Sequence, residues 1–130
     1  MSTTLAPHIV EILTAPVYGS LGTIRPDDTV QVNPMWFELI DGTIRFTHTN
    51  KRAKYRNLQR NASMSFMVSY PGDPYRYVEL RGSLVEAIPD PTGQFYVQLS
   101  TRYGNVNPSP PADSPDRVIL VMGIDKVIDG

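Results

Sequence analysis

The apolar residues near the start of the chain recur at the spacing of an α-helix. They are Leu5, Ile9, Ile12 and Leu13. Because 3.6 residues make one turn, these side chains share one stripe, which predicts a short amphipathic helix over residues 7–13. Pro16 and Gly19 follow the stripe and end the helix.

Beyond this helix the apolar positions alternate with polar ones, as they do in β-strands. Val30 and Val32 are apolar, but after Pro34 the apolar residues fall on the opposite parity. Since proline cannot donate a hydrogen bond to a neighbouring strand, the flip predicts a bulge or bend at Asn33-Pro34.

Several later segments also carry a strand pattern. The pair Asp41-Gly42 predicts a hairpin turn that leads into a strand over residues 43–48. Residues 63–70 alternate most regularly, and residues 75–86 predict a longer strand. Val118–Met122 is a continuous apolar run of strand length.

The remaining segments predict helices and a loop. Residues 49–60 lack a strand pattern and suit a loop followed by a short helix, with Asn50 as its N-cap. Asp90-Pro91 predicts the start of another helix, which ends at Gly104. Residues 105–116 contain four prolines and predict an irregular loop, a candidate lid.

Together these predictions describe a mainly β protein with about six antiparallel strands, mostly linked as hairpins, and two or three short helices. This pattern favours a small antiparallel β-barrel with peripheral short helices, built as a single domain over residues 1–130. Strands and helices do not alternate regularly, which argues against a doubly wound nucleotide-binding fold.

Composition mainly excludes kinds of chemistry. The chain has no cysteine, which rules out disulfides, thiolate metal sites and cysteine nucleophiles. Its two histidines, His8 and His48, are too few for a multi-histidine centre, so no metal site is predicted. No apolar run reaches the roughly 18 residues that span a bilayer, and no signal-peptide pattern opens the chain. A soluble cytoplasmic protein is therefore expected.

The charges are unevenly distributed, although the formal net charge is only −1. Between Asp41 and Asp73 there is no acidic residue, yet six of the 12 basic residues lie there. They are Arg45, Lys51, Arg52, Lys54, Arg56 and Arg60. Such segregation indicates a local anionic partner, which on charge alone could be DNA, RNA or a phosphorylated small molecule.

Within this basic segment, residues 47–58 have the composition of a phosphate site. Hydroxyl and amide side chains at the end of a predicted strand precede cations at the start of a predicted helix, where free N–H groups and the helix dipole favour anions. The alternative is a solvated basic helix face with Ala53 and Leu58 packed inward. His48 extends the apolar face of its strand, so a structural role competes with chemistry. Trp36 suits a ligand pocket, a subunit interface or plain packing.

Four segments, in this order and spacing, resemble the pyridoxamine 5′-phosphate oxidase-like split β-barrel superfamily, and in particular its small deazaflavin (coenzyme F420)-dependent reductase branch. They are Leu21–Arg25, Val32–Phe37, Ala53–Leu58 and Tyr77–Gly82. The A-K-x-R-N-L stretch that begins at Ala53 is the most specific of them. The likeness runs from about Gly19 to Glu86, roughly half the chain, and assigns nothing to the loop over residues 105–116.

The resemblance implies a split barrel that forms a homodimer, with a flavin or deazaflavin in a cleft between the protomers. The strand Asn33–Trp36 would run beside the ring system, largely through main-chain groups. The loop Thr47–Arg52 and Lys54 would hold the phosphate and face the acidic tail of coenzyme F420, while a neighbouring subunit would supply Tyr75 and Tyr77. The implied cofactor-binding residues are Asn33, Pro34, Met35, Trp36, Thr47, His48, Thr49, Asn50, Lys51, Arg52, Lys54, Tyr75 and Tyr77.

The resemblance also implies hydride transfer from the reduced deazaflavin to an unsaturated small molecule, with the cofactor supplying the chemistry. No side chain is assigned a catalytic role; Tyr75, Tyr77 and His48 are candidate proton donors, and a solvent proton would suffice. FMN in place of F420 is the first alternative, giving an oxidase or flavin reductase. A nucleic-acid-binding barrel is disfavoured because Tyr55 is the one aromatic residue within the basic run over residues 51–60, and the rest of the chain is net acidic. A cofactor-binding protein without catalysis is the third alternative.

Overall fold

The structure of the protein, a computed structural model, describes residues 4–130. Across these residues the chain forms seven strands: β1 (Gly19–Ile24), β2 (Val30–Met35), β3 (Phe37–Ile40), β4 (Thr43–Thr49), β5 (Ser63–Tyr70), β6 (Asp73–Pro89) and β7 (Arg117–Asp129). Three α-helices accompany them, α1 (Pro7–Thr14), α2 (Ala53–Arg60) and α3 (Gln94–Arg102), with a 3₁₀ turn at Ser114–Asp116. The protein is thus mainly β, as the alternation of apolar residues predicts.

All seven strands belong to one antiparallel sheet in the order β2-β1-β5-β6-β7-β4-β3. The sheet curls into a half-barrel, which confirms the predicted split-barrel class. Register shifts at Arg81/Gly82 and Leu84/Glu86 bend the long strands β6 and β7, as bulges do. A Cβ atom at Gly82 would lie 1.8 Å from the carbonyl oxygen of Gly123, so only glycine allows the two strands to approach this closely.

The core lies on the concave face of the sheet and is built around three fully buried phenylalanines. The Phe37 and Phe46 rings meet the Phe66 ring edge to face, with centroids 4.8 and 5.0 Å from it. Each buried ring contributes roughly 1.5–3 kcal/mol through its burial, and edge-to-face contact adds about 0.5–1.5 kcal/mol per pair. Helix α1 covers this core with Ile9, Ile12 and Leu13, the stripe that the sequence predicts.

The prediction of a bulge or bend at Asn33-Pro34 is wrong. Strand β2 pairs with β1 in continuous register through Pro34, and the chain breaks between strands one residue later, at Trp36. The parity flip has a different cause: Val30 and Val32 point to the outer face of the sheet, where both are exposed. The inward positions of β2 instead carry amide side chains that contact helix α2.

Apolar alternation does not predict β1, because its outward positions are Ser20, Gly22 and Ile24 and one of its inward positions is Thr23. This strand accounts for the seventh strand where about six are expected. It lies between β2 and β5 in the sheet, so the cross-strand pairs supply the order that its own sequence pattern lacks.

Both helix starts differ from the predictions. Asn50 is not the N-cap of α2; Arg52 occupies that position and makes no side-chain cap hydrogen bond. Helix α3 begins at Gln94 with Gly93 as N-cap, rather than at Pro91. The Asp90 carboxylate still accepts hydrogen bonds from the backbone N–H groups of Gln94 and Phe95, at 3.2 and 3.0 Å. It therefore provides acceptors for the free N–H groups of the first turn, although Asp90 itself lies before the helix.

Candidate functional site

An open cleft of about 300 Å³ lies where β2, β4, β7 and α3 meet. Its walls include the predicted segment Asn33–Trp36 and the predicted residues Thr47, His48 and Arg52. Tyr96 and Arg117 complete the lining, and neither is predicted from the sequence. The structure therefore brings seven of the 13 predicted cofactor-binding residues to one concave surface, where His48 and Arg52 are joined by the further cation Arg117.

Helix α2 is fixed beside this cleft by its polar side chains. The Asn57 amide donates hydrogen bonds to Gln31 Oε1 at 2.9 Å and to Thr23 Oγ1 at 3.3 Å. Arg60 donates to the carbonyl oxygen of Ile24 at 2.8 Å. Because Asn57 is buried, these bonds hold α2 against β1 and β2 and so set the position of its N-terminal turn at the cleft.

Lys54, in that first turn, is buried and only 2% exposed. Its ammonium donates to Asn33 Oδ1 and lies 3.5 Å from Met35 Sδ, so it supports the cleft wall from behind. Burial, and then the positive charge of Arg52, lower the pKa of Lys54 to about 8. A bound anion would offset both effects, because it stabilises the charged ammonium.

His48 also departs from ordinary behaviour. The residue is 7% exposed, and its Nε2 is buried without a hydrogen-bond partner among residues 4–130. Burial, followed by the charges of Lys54, Arg52 and Arg117, lowers the pKa of His48 to about 4. The ring is therefore neutral at neutral pH, and His48 lines the cleft while its Nε2 stays buried.

Arg117 reaches the cleft from the first position of β7. Its Nε donates to Asp113 Oδ1 at 3.0 Å, and its guanidinium carbon lies 4.9 Å from the centre of the Tyr96 ring. Sequence reasoning misses it because it stands alone in an acidic part of the chain, far from the basic segment. The one sequence signal is its position at the end of the proline-rich loop, directly before the apolar run Val118–Met122.

A row of aromatic rings forms one flank of the cleft. Tyr103 stacks on Tyr18 at 4.8 Å and on Trp36 at 5.5 Å between ring centroids, and Trp36 also contacts Tyr96 at 5.5 Å. The Tyr103 hydroxyl donates to the carbonyl oxygen of Val17 at 2.7 Å, and burial raises the pKa of this hydroxyl. Trp36 is thus packed and also lines the cleft, which offers a flat apolar surface to a planar ligand.

The other predicted site residues do not line this cleft. Thr49 is buried in the ladder opposite Arg117, while Asn50 and Lys51 are exposed in the loop before α2. Tyr75 is 89% exposed at the start of β6, and Tyr77 lies on the outer face of the sheet. Within the described chain, therefore, neither tyrosine lines the cleft.

Neither a cluster of metal-binding side chains nor a membrane-spanning helix is found in the described part of the chain. No group of three or more His, Asp or Glu side chains within residues 4–130 could hold a metal ion. Over the same residues, no helix has both the length and the apolar character needed to cross a membrane.

The curled half-barrel and its cationic cleft define a protein of the split-barrel class. The chain matches the family described as pyridoxamine 5′-phosphate oxidase over residues 5–129 and belongs to that family. It is similar to a solved structure named F420 Reductase, with 45% identity and a TM-score of 0.90, covering 95% of this chain and 98% of that chain. That likeness and the family together support a flavin- or deazaflavin-linked oxidoreductase.

More distant solved structures share the fold. The conserved hypothetical protein Rv2991 from Mycobacterium tuberculosis is 25% identical with a TM-score of 0.76, covering 97% of this chain and 84% of that chain. General Stress Protein 26 from Bacillus anthracis is 19% identical with a TM-score of 0.70, covering 92% and 88% of the two chains, and shows the fold alone. A comparison with curated proteins finds no match.

Proposed function

We propose that this protein is an F420-dependent oxidoreductase that transfers a hydride from the reduced deazaflavin to an unsaturated small-molecule substrate. The observation that carries the proposal is the cleft itself. There the segment Asn33–Trp36 faces Arg52 and His48, with Lys54 behind it. The likeness to a structure named F420 Reductase supports the choice of cofactor.

The residues of the cleft fit a cofactor that joins a flat ring to an acidic tail. Strand β2 is at the edge of the sheet, so the backbone groups along its free side are available to a ring system. Arg52, with Lys54 nearby, supplies the positive charge for the phosphate. The bound cofactor would supply the hydride, while these residues bind and orient it.

The proposal includes a homodimer with the cofactor at the subunit interface. The outer face of β2, β1 and β5 exposes Val30, Val32 and Met67 around the small residues Ser20 and Gly22, which leaves a shallow groove of about 230 Å³. An apolar sheet face of this kind favours burial against another surface. The family resemblance implies that a second copy supplies its Tyr75 and Tyr77 to the cofactor.

A cofactor titration tests the proposal directly. Wild-type protein is mixed with F420 or with FMN, and binding is followed by fluorescence. We expect F420 to bind, and Arg52→Gln to weaken that binding by about tenfold, the loss expected for one charge-assisted hydrogen bond. The matched control is Arg56→Gln, since the Arg56 guanidinium donates a hydrogen bond to the carbonyl oxygen of Lys51 at 3.1 Å. Tight FMN binding without affinity for F420 would overturn the choice of cofactor.

Turnover separates an enzyme from a cofactor-binding protein. Reduced F420 is supplied with a panel of activated alkenes, and its reoxidation is followed by absorbance. Loss of the reduced cofactor only when substrate is present supports the proposed reaction. Binding without turnover across the panel argues for a carrier of the cofactor.

A further inference from the structure

Arg117 is held in place by groups on three separate elements. Its Nε and Nη2 lie 3.0 and 3.5 Å from the two carboxylate oxygens of Asp113, a two-point contact that fixes the plane of the guanidinium. The face of that plane covers the Tyr96 ring of α3. Nη1 lies 3.5 Å from Thr47 Oγ1 on β4. The side chain is only 12% exposed, so the cation is presented to the cleft with little freedom to move.

The proline-rich loop holds Asp113 in position for this contact. Asp113 directly precedes the 3₁₀ turn Ser114–Asp116, whose last residue donates its N–H to the Asp113 carbonyl oxygen at 2.9 Å. The Asp116 carbonyl oxygen in turn accepts the N–H of Asn50 at 3.0 Å. The loop is therefore hydrogen-bonded to the basic loop that precedes α2.

The charges around this position still favour an anion after Asp113 is counted. Asp113 neutralises one cation, whereas Arg52 and Lys54 lie near enough that both lower the pKa of His48 together with Arg117. Nη1 of Arg117 has only the long contact to Thr47, and His48 Nε2 has no partner in the described chain. Arg117 therefore lines the cleft with a net positive charge around it and with one guanidinium nitrogen that lacks a strong acceptor.

We propose that Arg117 binds the oxyanion of the ligand in this cleft, and that Asp113 and the loop over residues 105–116 position it. The assignment of that oxyanion to a phosphate or tail carboxylate of the cofactor rests on the proposed function. The geometry of the guanidinium does not.

Substitution of the two aspartates of the loop tests the inference by whether ligand affinity rises or falls. Asp113→Asn removes a negative charge near a bound anion. If Asp113 did not position Arg117, the loss of this charge would make the anion bind more tightly. A positioning carboxylate gives weaker binding, because the guanidinium is released from its plane. We expect F420 affinity to fall several-fold in Asp113→Asn and to recover in part in Asp113→Glu. Asp116→Asn is the matched control, since its carboxylate makes no hydrogen bond within residues 4–130.

Arg117 itself is tested by Arg117→Gln beside Lys126→Gln, an exposed residue on the same strand. Arg117→Gln is expected to weaken F420 binding by about tenfold, with Lys126→Gln close to wild type. Equal affinity of the two variants, or tighter binding by Asp113→Asn, overturns the inference while the proposed function stands.

A second measurement is independent of the cofactor. Inorganic phosphate is titrated into wild-type protein while the Arg117 Nε–H resonance is followed by NMR, with Arg117→Lys identifying that signal. A saturable shift that is lost in Asp113→Asn supports the oxyanion site even if neither F420 nor FMN binds, an outcome that would remove only the proposed function. Absence of a shift with phosphate, together with unaltered cofactor affinity in Arg117→Gln, removes the inference.

Discussion

Replacing Lys54 with methionine is expected to stabilise the protein while weakening its ligand binding. The ammonium is buried against Asn33 and Met35 and is 2% exposed. Methionine has a similar length and an unbranched, apolar side chain, so it fills the same space without a charge. Asn33 loses a hydrogen-bond donor but is itself exposed, so water can replace that donor.

The size of the effect follows from the pKa of Lys54, which falls from 10.5 to about 8. One pKa unit corresponds to about 1.4 kcal/mol, so the charged form costs roughly 3 kcal/mol in the folded state. Below about pH 8, Lys54 is protonated in both the folded and the unfolded protein, and this cost is fully present. Between about pH 8 and about pH 10.5 the folded protein holds fewer protons than the unfolded one, so wild-type stability rises with pH.

Urea unfolding of wild type and Lys54→Met at several pH values tests this reasoning. The variant is expected to be more stable by up to about 3 kcal/mol near pH 7, and this advantage should shrink as the pH approaches about 10.5. Lys51→Met is the control, because Lys51 is exposed in the loop directly before α2. A stability difference that stays constant with pH, or a variant less stable than wild type near pH 7, would refute the assigned cost of burying this charge.

Three further substitutions probe other parts of the fold. The pKa of His48 is about 4 in the folded protein, so between about pH 6.5 and pH 4 the unfolded protein binds a proton at His48 and the folded protein does not. His48→Gln should therefore remove up to about 3 kcal/mol of the destabilisation caused by acid. Urea unfolding near pH 7 and pH 4.5 measures this. Tyr103→Phe should lower stability by about 1–3 kcal/mol, since it leaves the Val17 carbonyl oxygen without its 2.7 Å donor; an unchanged midpoint in a thermal melt contradicts this. Gly82→Ala should cost roughly 3 kcal/mol or more, because its Cβ would collide with Gly123; a variant with wild-type urea stability would show that the bend can relax.

The sequence predicts those strands whose burial follows their own alternation. β5 buries Met64, Phe66 and Val68 on one face, so its period of two is visible in the sequence alone. β2 shows the same period with the faces exchanged, because its inward Gln31 contacts helix α2 and its Val32 faces outward. Alternation reports which residues share a face, and only the tertiary structure decides which face is the core.

The residues of the candidate site likewise differ in whether the sequence alone predicts them. Arg52 and Lys54 are found from the sequence because six cations without a nearby acidic residue form a contiguous segment. Arg117 stands among Asp113 and Asp116, so any local count of charge classifies its surroundings as acidic. The antiparallel pairing of β4 with β7 places Arg117 opposite Thr49, at the end of the strand that leads into the basic loop.

The basic segment visible in the sequence therefore accounts for only part of the positive charge at the cleft, because Arg117 lies outside it. In the proposed site an anion would meet cations from two distant parts of the chain, with the carboxylate of Asp113 fixing the plane of the Arg117 guanidinium. Lys54 provides charge at a cost in folding stability, whereas Arg117 keeps its charge paired with Asp113. A site built from both kinds of cation gains affinity from the first and orientation from the second, which is what a ligand with a flat ring and an acidic group requires.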